Sequence, residues 1–115
     1  MARIRHVAIR TENVDALVEF YTKSFGLKIV EGDGTATYLT DGYLNLAIIP
    51  DRNRQKEGID HIGFEVESVD DLGPIVEEAG ASSGIKKRPA NREAEFRVHD
   101  PDGNGVDLSR HGWPH

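Results

Sequence analysis

An internal repeat is the feature that most limits how this chain can fold. The residues from His6 to Leu17 align without a gap with the residues from His61 to Leu72, at an offset of 55 positions, and the apolar pattern agrees at most positions. In each copy an alternating apolar and polar stretch predicts a β-strand, and a helical pattern follows it. Two copies are too few for a solenoid, so we predict two similar modules that pair.

Each predicted helix has capping signals at both ends. Asn13 and Ser68 stand in N-cap positions, because their side-chain oxygens can accept hydrogen bonds from the first backbone N–H groups of a helix. Acidic residues follow in each first turn, where the helix dipole favours negative charge. Gly26 and Gly80 then end the two helices, since glycine tolerates the left-handed backbone conformation that is common there.

Three further strand-like runs follow each helix and complete a βαβββ pattern in each module. They are Lys28–Glu31, Thr35–Thr40 and Tyr43–Ile49 in the first module, and Gly84–Arg88, Ala94–His99 and Gly105–Arg110 in the second. A charged segment separates the modules. We therefore predict a single α+β domain over residues 1–115, with module one at about 1–50, a linker at about 51–58 and module two at about 59–115.

Composition excludes several classes of function. The 115 residues include 14 Lys and Arg against 20 Asp and Glu, a formal net charge of −6, which disfavours binding to nucleic acid or to an anionic membrane. No apolar stretch approaches the roughly 20 residues of a membrane span, and the first residues contain no apolar signal core. We expect a soluble, cytoplasmic protein. The sequence shows no glycine-rich phosphate loop, so no nucleotide cofactor is expected.

Strand alternation places four polar side chains on sheet faces that no helix covers: His6, Asn45, His61 and Asp107. His6 and His61 are equivalent in the repeat, and we take Asn45 and Asp107 as equivalent on the last strand of each module. The chain has no Cys, so a metal ion must be held by nitrogen and oxygen atoms. Two His and one carboxylate suit a divalent first-row ion, and Fe, Mn, Ni, Co and Zn are not distinguished.

The same alternation leaves a simpler interpretation open, because a histidine on the outer face of a strand is most often only a polar residue that faces water. Four other side chains could line a substrate pocket, and exposed strand faces would explain them equally well. These four are Arg10, Tyr38, Glu65 and His99. No nucleophile elbow and no Ser, His and Asp arrangement is visible in the sequence, so no catalytic residue is assigned.

Three segments resemble the vicinal oxygen chelate superfamily, which includes glyoxalases, bleomycin resistance proteins and extradiol dioxygenases. They are the run from Phe20-Tyr21 to Phe25-Gly26-Leu27, the internal Asp60-His61-Ile62-Gly63-Phe64, and the terminal Asp100-Pro101-Asp102-Gly103-Asn104 with Asp107. The resemblance covers essentially the whole chain. It implies two tandem βαβββ modules whose mixed sheets curl into a cupped, open barrel around a divalent metal ion. It also implies that His6, His61 and Asp107 match ligand positions of the family.

The resemblance leaves two functions open. Asp107 stands where the family usually has Glu, and Asn45 stands where glyoxalases commonly have Glu, so Asn45 is either a weak fourth ligand or a residue that supports one. One hypothesis is a metal-dependent enzyme of glyoxalase or dioxygenase type that acts on a small organic substrate with vicinal oxygens. The alternative is a metal-free binding or resistance protein for an antibiotic or metabolite.

A homodimer is expected, because so short a chain leaves apolar surface open.

Overall fold

A computed structural model of the chain describes residues 2–32, 34–51 and 58–115, and most of the predicted linker at 51–58 lies outside these residues. The chain forms two compact units. The N-terminal unit contains His6–Asp60 and residues 114–115, and the C-terminal unit contains residues 2–5 and His61–Trp113. Each unit therefore holds most of one predicted module together with a short end of the chain.

The order of elements confirms the predicted α+β class, since a strand, a helix and three strands occur twice in succession within the described residues. The elements are β1 (Arg3–Thr11), α1 (Val14–Phe25), β2 (Lys28–Val30), β3 (Thr37–Thr40), β4 (Asn45–Pro50), β5 (Gly58–Glu65), α2 (Leu72–Glu78), β6 (Ser83–Lys87), β7 (Phe96–His99) and β8 (Gly105–Ser109). The ends of the later strands differ slightly from prediction, because alternation locates the middle of a strand better than its ends.

Each half of the chain contributes four strands of mixed sheet. The strand order is β2-β3-β4-β1 in the first half and β5-β8-β7-β6 in the second. In both halves the first strand runs parallel to the last strand, and the other neighbours within the half are antiparallel. Side chains of the first and last strands of a module therefore lie next to each other.

The two parallel strand pairs differ in register by two residues. His6 lies directly beside Asn45, whereas His61 lies beside Gly105, and Asp107 lies beside Gly63. The predicted equivalence of Asn45 and Asp107 is therefore wrong in register. The reason is that the loops after β2 and β6 differ in length, so the offset of 55 is lost before the last strand of each half. The two last strands consequently present different residues to the two histidines.

The core of the C-terminal unit lies between the sheet and α2. Val66, Val98 and Leu108 are buried together, and Leu72 and Val76 of α2 pack against them. Leu108 on β8 therefore faces α2. It follows that the alternate side chains of β8, including Asp107, point to the face that α2 does not cover.

Helix α1 begins and ends where the sequence predicts. Oδ1 of Asn13 accepts a hydrogen bond from the backbone N–H of Ala16 at 3.1 Å. Gly26 follows the helix with φ of 72°, and its N–H donates to the carbonyl of Thr22. Both caps satisfy backbone groups that would otherwise have no partner within the helix.

The predicted start of α2 is wrong. The hydroxyl of Ser68 accepts a weak hydrogen bond from the N–H of Asp70 at 3.3 Å, and the helix begins only at Leu72, after Asp71. Pro74 explains the later start. Proline has no N–H, and its ring clashes with the carbonyl four residues earlier, so it is accommodated only in the first turn of a helix.

A carboxylate organises the turn between β7 and β8. Oδ1 of Asp100 accepts hydrogen bonds from the backbone N–H groups of Asp102 at 3.0 Å and Asn104 at 2.9 Å. The hydrogen bond from the side chain of Asn104 lowers the pKa of Asp100 below the ordinary value of 3.8, and the hydrogen bond from the backbone N–H of Asn104 has the next largest effect. The turn fixes a register in which Arg97 on β7 lies opposite Asp107 on β8.

We expect Asp100→Ala to be less stable than the wild type at neutral pH, and the difference to shrink in acid. Because folding lowers the pKa of Asp100, its stabilisation is fully present above the unfolded-state value and is lost as the pH falls through the lower folded-state value. Urea unfolding at about pH 7 and about pH 2.5 measures both differences. A difference that is equal at the two pH values would contradict the role of the ionised carboxylate.

Some apolar surface remains exposed. Phe20, Phe25 and Ile29 are each more than half exposed, and the rings of Phe20 and Phe25 meet edge to face with centroids 5.9 Å apart. The homodimer that would cover such surface stays a prediction.

Among the residues that the structure describes, no helix combines the length and the apolar character needed to cross a membrane.

Candidate metal centre

His6 is buried in the N-terminal unit beside the side-chain amide of Asn45, and both the oxygen and the nitrogen of that amide have hydrogen-bond partners. The histidine is 3% exposed, and its ring nitrogen Nδ1 is 2.7 Å from Oδ1 of Asn45, its direct neighbour on β4. Asn45 is fully buried, and its Nδ2 donates a hydrogen bond to the carbonyl of Pro114 at 2.8 Å. The C-terminal tail therefore reaches His6 through Asn45.

Tyr38 forms a wall beside His6. Its side chain is buried with Ala8 and Ala47, and its ring meets the ring of His6 in a T-shaped contact with centroids 6.4 Å apart. A Cβ added at Gly32 would lie 2.5 Å from the Tyr38 ring, so the backbone packs directly on that ring. The structure thus places Tyr38 against a candidate metal ligand, and its contact with a substrate stays a prediction.

His61 and Asp107 lie together in the C-terminal unit. Nε2 of His61 is 3.3 Å from Oδ2 of Asp107, and the two side chains are 9% and 5% exposed. Gly105 lies beside His61, and a Cβ at that position would be 3.4 Å from Cβ of His61. Because Asp107 is two residues further along β8 than Gly105, its carboxylate meets the Nε2 end of the ring.

Arg97 is a partner of Asp107 that strand alternation alone does not reveal. Its Nε donates a hydrogen bond to Oδ1 of Asp107, so the two oxygens of that carboxylate face different partners. The signal that could have found it is the turn from Asp100 to Asn104. This turn joins β7 to β8 and sets Arg97 directly opposite Asp107.

Two ion pairs occupy repeat-equivalent positions with their charges reversed. Nη1 of Arg5 is 3.0 Å from Oε1 of Glu65 in the C-terminal unit, and Nη2 of Arg10 is 2.8 Å from Oδ1 of Asp60 in the N-terminal unit. The offset of 55 relates Arg5 to Asp60 and Arg10 to Glu65. Arg10 and Glu65 are therefore each held by a partner of opposite charge, and their place in a substrate pocket stays a prediction.

His99 lies at the end of β7, in register with Gly105 on β8. Its Nδ1 is 2.7 Å from the hydroxyl of Ser83 on β6. It also lines an apolar cavity of about 210 Å³ together with Val76 of α2 and Pro101. The hydrogen bond to Ser83 accounts for its orientation, and a contact with substrate stays a prediction.

Gly112 and Gly26 form a matched pair for testing the tail that follows β8. Their φ angles are 77° and 72°, and a Cβ at Gly26 meets nothing within 4 Å, whereas one at Gly112 would lie 2.5 Å from Oε1 of Glu65. We expect Gly26→Ala to lower the free energy of unfolding by about 1–2 kcal/mol. Gly112→Ala should cost about 0.2–1 kcal/mol more, because Glu65 must leave Arg5. Equal urea midpoints would contradict the packing of Glu65 on the tail.

Residues 3–108 match the Glyoxalase/Bleomycin resistance protein/Dioxygenase superfamily, and the chain belongs to that superfamily. This confirms the resemblance drawn from the sequence motifs. A search of curated proteins finds no match.

Solved structures share the fold. A hypothetical protein from Bacillus halodurans is 19% identical, with a TM-score of 0.70 over 93% of this chain and 92% of that chain. Methylmalonyl-CoA epimerase from Mycobacterium tuberculosis is 18% identical, with a TM-score of 0.65 over 91% of this chain and 85% of the epimerase. The 2,3-dioxygenase LapB from a Pseudomonas species is 20% identical, with a TM-score of 0.72 over 98% of this chain. The match spans only 41% of the dioxygenase.

Proposed function

We propose that the protein is a metal-dependent enzyme for a small organic substrate with two vicinal oxygens, and that His6, His61 and Asp107 hold its divalent ion. The buried pair of His61 and Asp107 carries the proposal. Each of the three residues offers a ring nitrogen or a carboxylate oxygen to a metal. Two His and one carboxylate form a donor set that suits Fe(II) and leaves coordination positions open for a substrate. Dioxygenases and an epimerase among proteins of the same fold support this chemistry.

The separation within the pair fits two atoms that share one ion. With bonds of about 2.0–2.2 Å, donor atoms at roughly 90–110° around an ion lie about 2.8–3.6 Å apart. The distance from Nε2 of His61 to Oδ2 of Asp107 is 3.3 Å, inside that range. A charge-assisted hydrogen bond would be shorter, at about 2.7–2.9 Å. The residues present therefore fit a divalent cation.

The surrounding side chains orient these ligands. Arg97 holds Oδ1 of Asp107, which directs Oδ2 toward His61. Tyr38 packs beside His6 and limits the positions that the imidazole ring can take. When bound, a divalent ion supplies Lewis acidity to the two substrate oxygens. Burial of the ligands strengthens that interaction, because little water remains to screen it.

Titration of the dialysed protein with Mn²⁺, with Zn²⁺ and, without oxygen, with Fe²⁺ tests the proposal. We expect calorimetry to show one ion bound per chain. Catechol, a small molecule with two vicinal oxygens, should bind the loaded protein and not the metal-free protein. Failure of all three ions to bind, or catechol binding that is equal with and without metal, would contradict the proposal.

A metal-free binding protein is the second candidate, and the contact of Arg97 favours it. The guanidinium already gives Asp107 a partner of opposite charge, so the buried carboxylate needs no cation for charge balance. The net charge of −6 suits a cationic small molecule. In this case the affinity for the ligand would be the same before and after treatment with a chelator, whereas an enzyme of the first kind would lose it.

A further inference from the structure

The geometry points to a positioning role for Asn45 and the C-terminal tail: together they set the tautomer of His6 so that Nε2 is the atom presented to a metal ion. The use of Nε2 for metal rests on the proposed function. The tautomer itself is a property of the metal-free protein and is tested separately. The contacts all lie within the N-terminal unit, among His6, Asn45 and Pro114.

The carbonyl of Pro114 determines which way the Asn45 amide faces. A carbonyl oxygen only accepts hydrogen bonds, so the group that lies 2.8 Å from it must be the NH₂ group of Asn45. Oδ1 of Asn45 therefore faces Nδ1 of His6, at 2.7 Å. An amide oxygen also only accepts, so Nδ1 must carry the proton when the His6 ring is neutral.

A neutral imidazole with its proton on Nδ1 carries its lone pair on Nε2, and a metal ion binds the lone pair. His61 also uses the Nε2 end of its ring toward Asp107. The arrangement is fixed by burial, since Asn45 is 0% and His6 is 3% exposed. Turning the amide around would place its NH₂ group against Nδ1 and its oxygen against the Pro114 carbonyl, where two acceptors would face each other.

The same contacts remove Asn45 from the ligand set. Its oxygen lies beside Nδ1 of His6, whereas an ion would bind the other ring nitrogen, Nε2. Asn45 lies directly beside His6 in register, whereas Asp107 lies two residues beyond the neighbour of His61. Because of this difference in register, Asn45 on β4 orients His6, whereas Asp107 on β8 would bind the ion together with His61. Asn45 is a positioning residue on this account.

Nitrogen-15 NMR of the metal-free protein reads the tautomer directly. At a pH where the ring is neutral, we expect wild-type His6 to have its proton on Nδ1. Asn45→Leu removes the amide at similar size, and deletion of residues 114–115 removes the acceptor for Nδ2, so both variants should show a mixture of tautomers. His115→Ala keeps the Pro114 carbonyl and is the matched control, which should give the wild-type spectrum.

Titration with Mn²⁺ provides the second readout. We expect Asn45→Leu and the deletion to weaken binding by about 10–100-fold. A wild-type His6 with its proton on Nε2, or a tautomer that is unchanged in both the Leu variant and the deletion, overturns the inference. If the predicted tautomer is seen and no ion binds, the proposed function fails and the tautomer assignment stands. If Asn45→Leu does not fold, the wild-type and deletion spectra decide.

Discussion

Replacing His61 with alanine is expected to lower the affinity for Mn²⁺ more than about a hundredfold. A change to a residue that only supports a metal ligand lowers affinity by about 10–100-fold, and loss of the ligand itself should cost more. The substitution also leaves Asp107 with Arg97, whose positive charge competes with a metal ion for the carboxylate. Calorimetric titration of the dialysed variant measures the change.

His99→Ala is the matched control for His61→Ala. His99 is another partly buried histidine of the C-terminal unit, and its ring contacts Ser83. We expect this variant to bind Mn²⁺ with the wild-type affinity, and circular dichroism verifies that both variants fold. Equal affinity of His61→Ala and the wild type would contradict the ligand role of His61. An equal loss in His99→Ala would show that the effect is not specific to a ligand.

Truncation of Leu39 is expected to have the largest effect on stability. Leu39 lies on β3, is fully buried, and pairs in register with Ile29 on β2 and Leu46 on β4. Leu39→Ala removes a buried apolar side chain and leaves a cavity, which lowers the free energy of unfolding by about 2–5 kcal/mol. The whole stability of such a domain is about 5–15 kcal/mol, so the urea midpoint should fall markedly.

Ile29→Ala is the control, because Ile29 lies on the adjacent strand and is 63% exposed. We expect its free energy of unfolding to stay within about 0.5 kcal/mol of the wild type. Losses of similar size in the two variants would contradict the burial of Leu39 between β2 and β4.

The repeat and the strand alternation were enough to predict the class of fold and the face on which the candidate ligands lie. Side chains of a strand alternate with a period of two, so the face of Asp107 follows once β8 is recognised. The packing of Leu108 against α2 confirms that face. The caps of α1 at Asn13 and Gly26 were also predictable, because they depend only on neighbouring residues.

Features that depend on distant residues could not be predicted in this way. The register that pairs His6 with Asn45 depends on loop lengths between the strands, and one repeat offset did not reveal it. The hydrogen bond from Asn45 to Pro114 joins residues 69 positions apart. The contact between Arg97 and Asp107 could have been predicted, because the turn at Asp100 sets the register of these two residues. The late start of α2 could also have been predicted, because Pro74 is accommodated only in the first turn of a helix.

Anomalous X-ray diffraction from crystals grown with Zn²⁺ is the direct test of a metal ion held by both histidines and Asp107. We expect one strong anomalous peak at about 2.0–2.2 Å from Nε2 of His6, Nε2 of His61 and a carboxylate oxygen of Asp107. Asn45 should remain hydrogen-bonded to His6 and outside the coordination shell. The absence of a peak at these residues, or a peak bonded to Oδ1 of Asn45 in place of either histidine, would contradict this metal site.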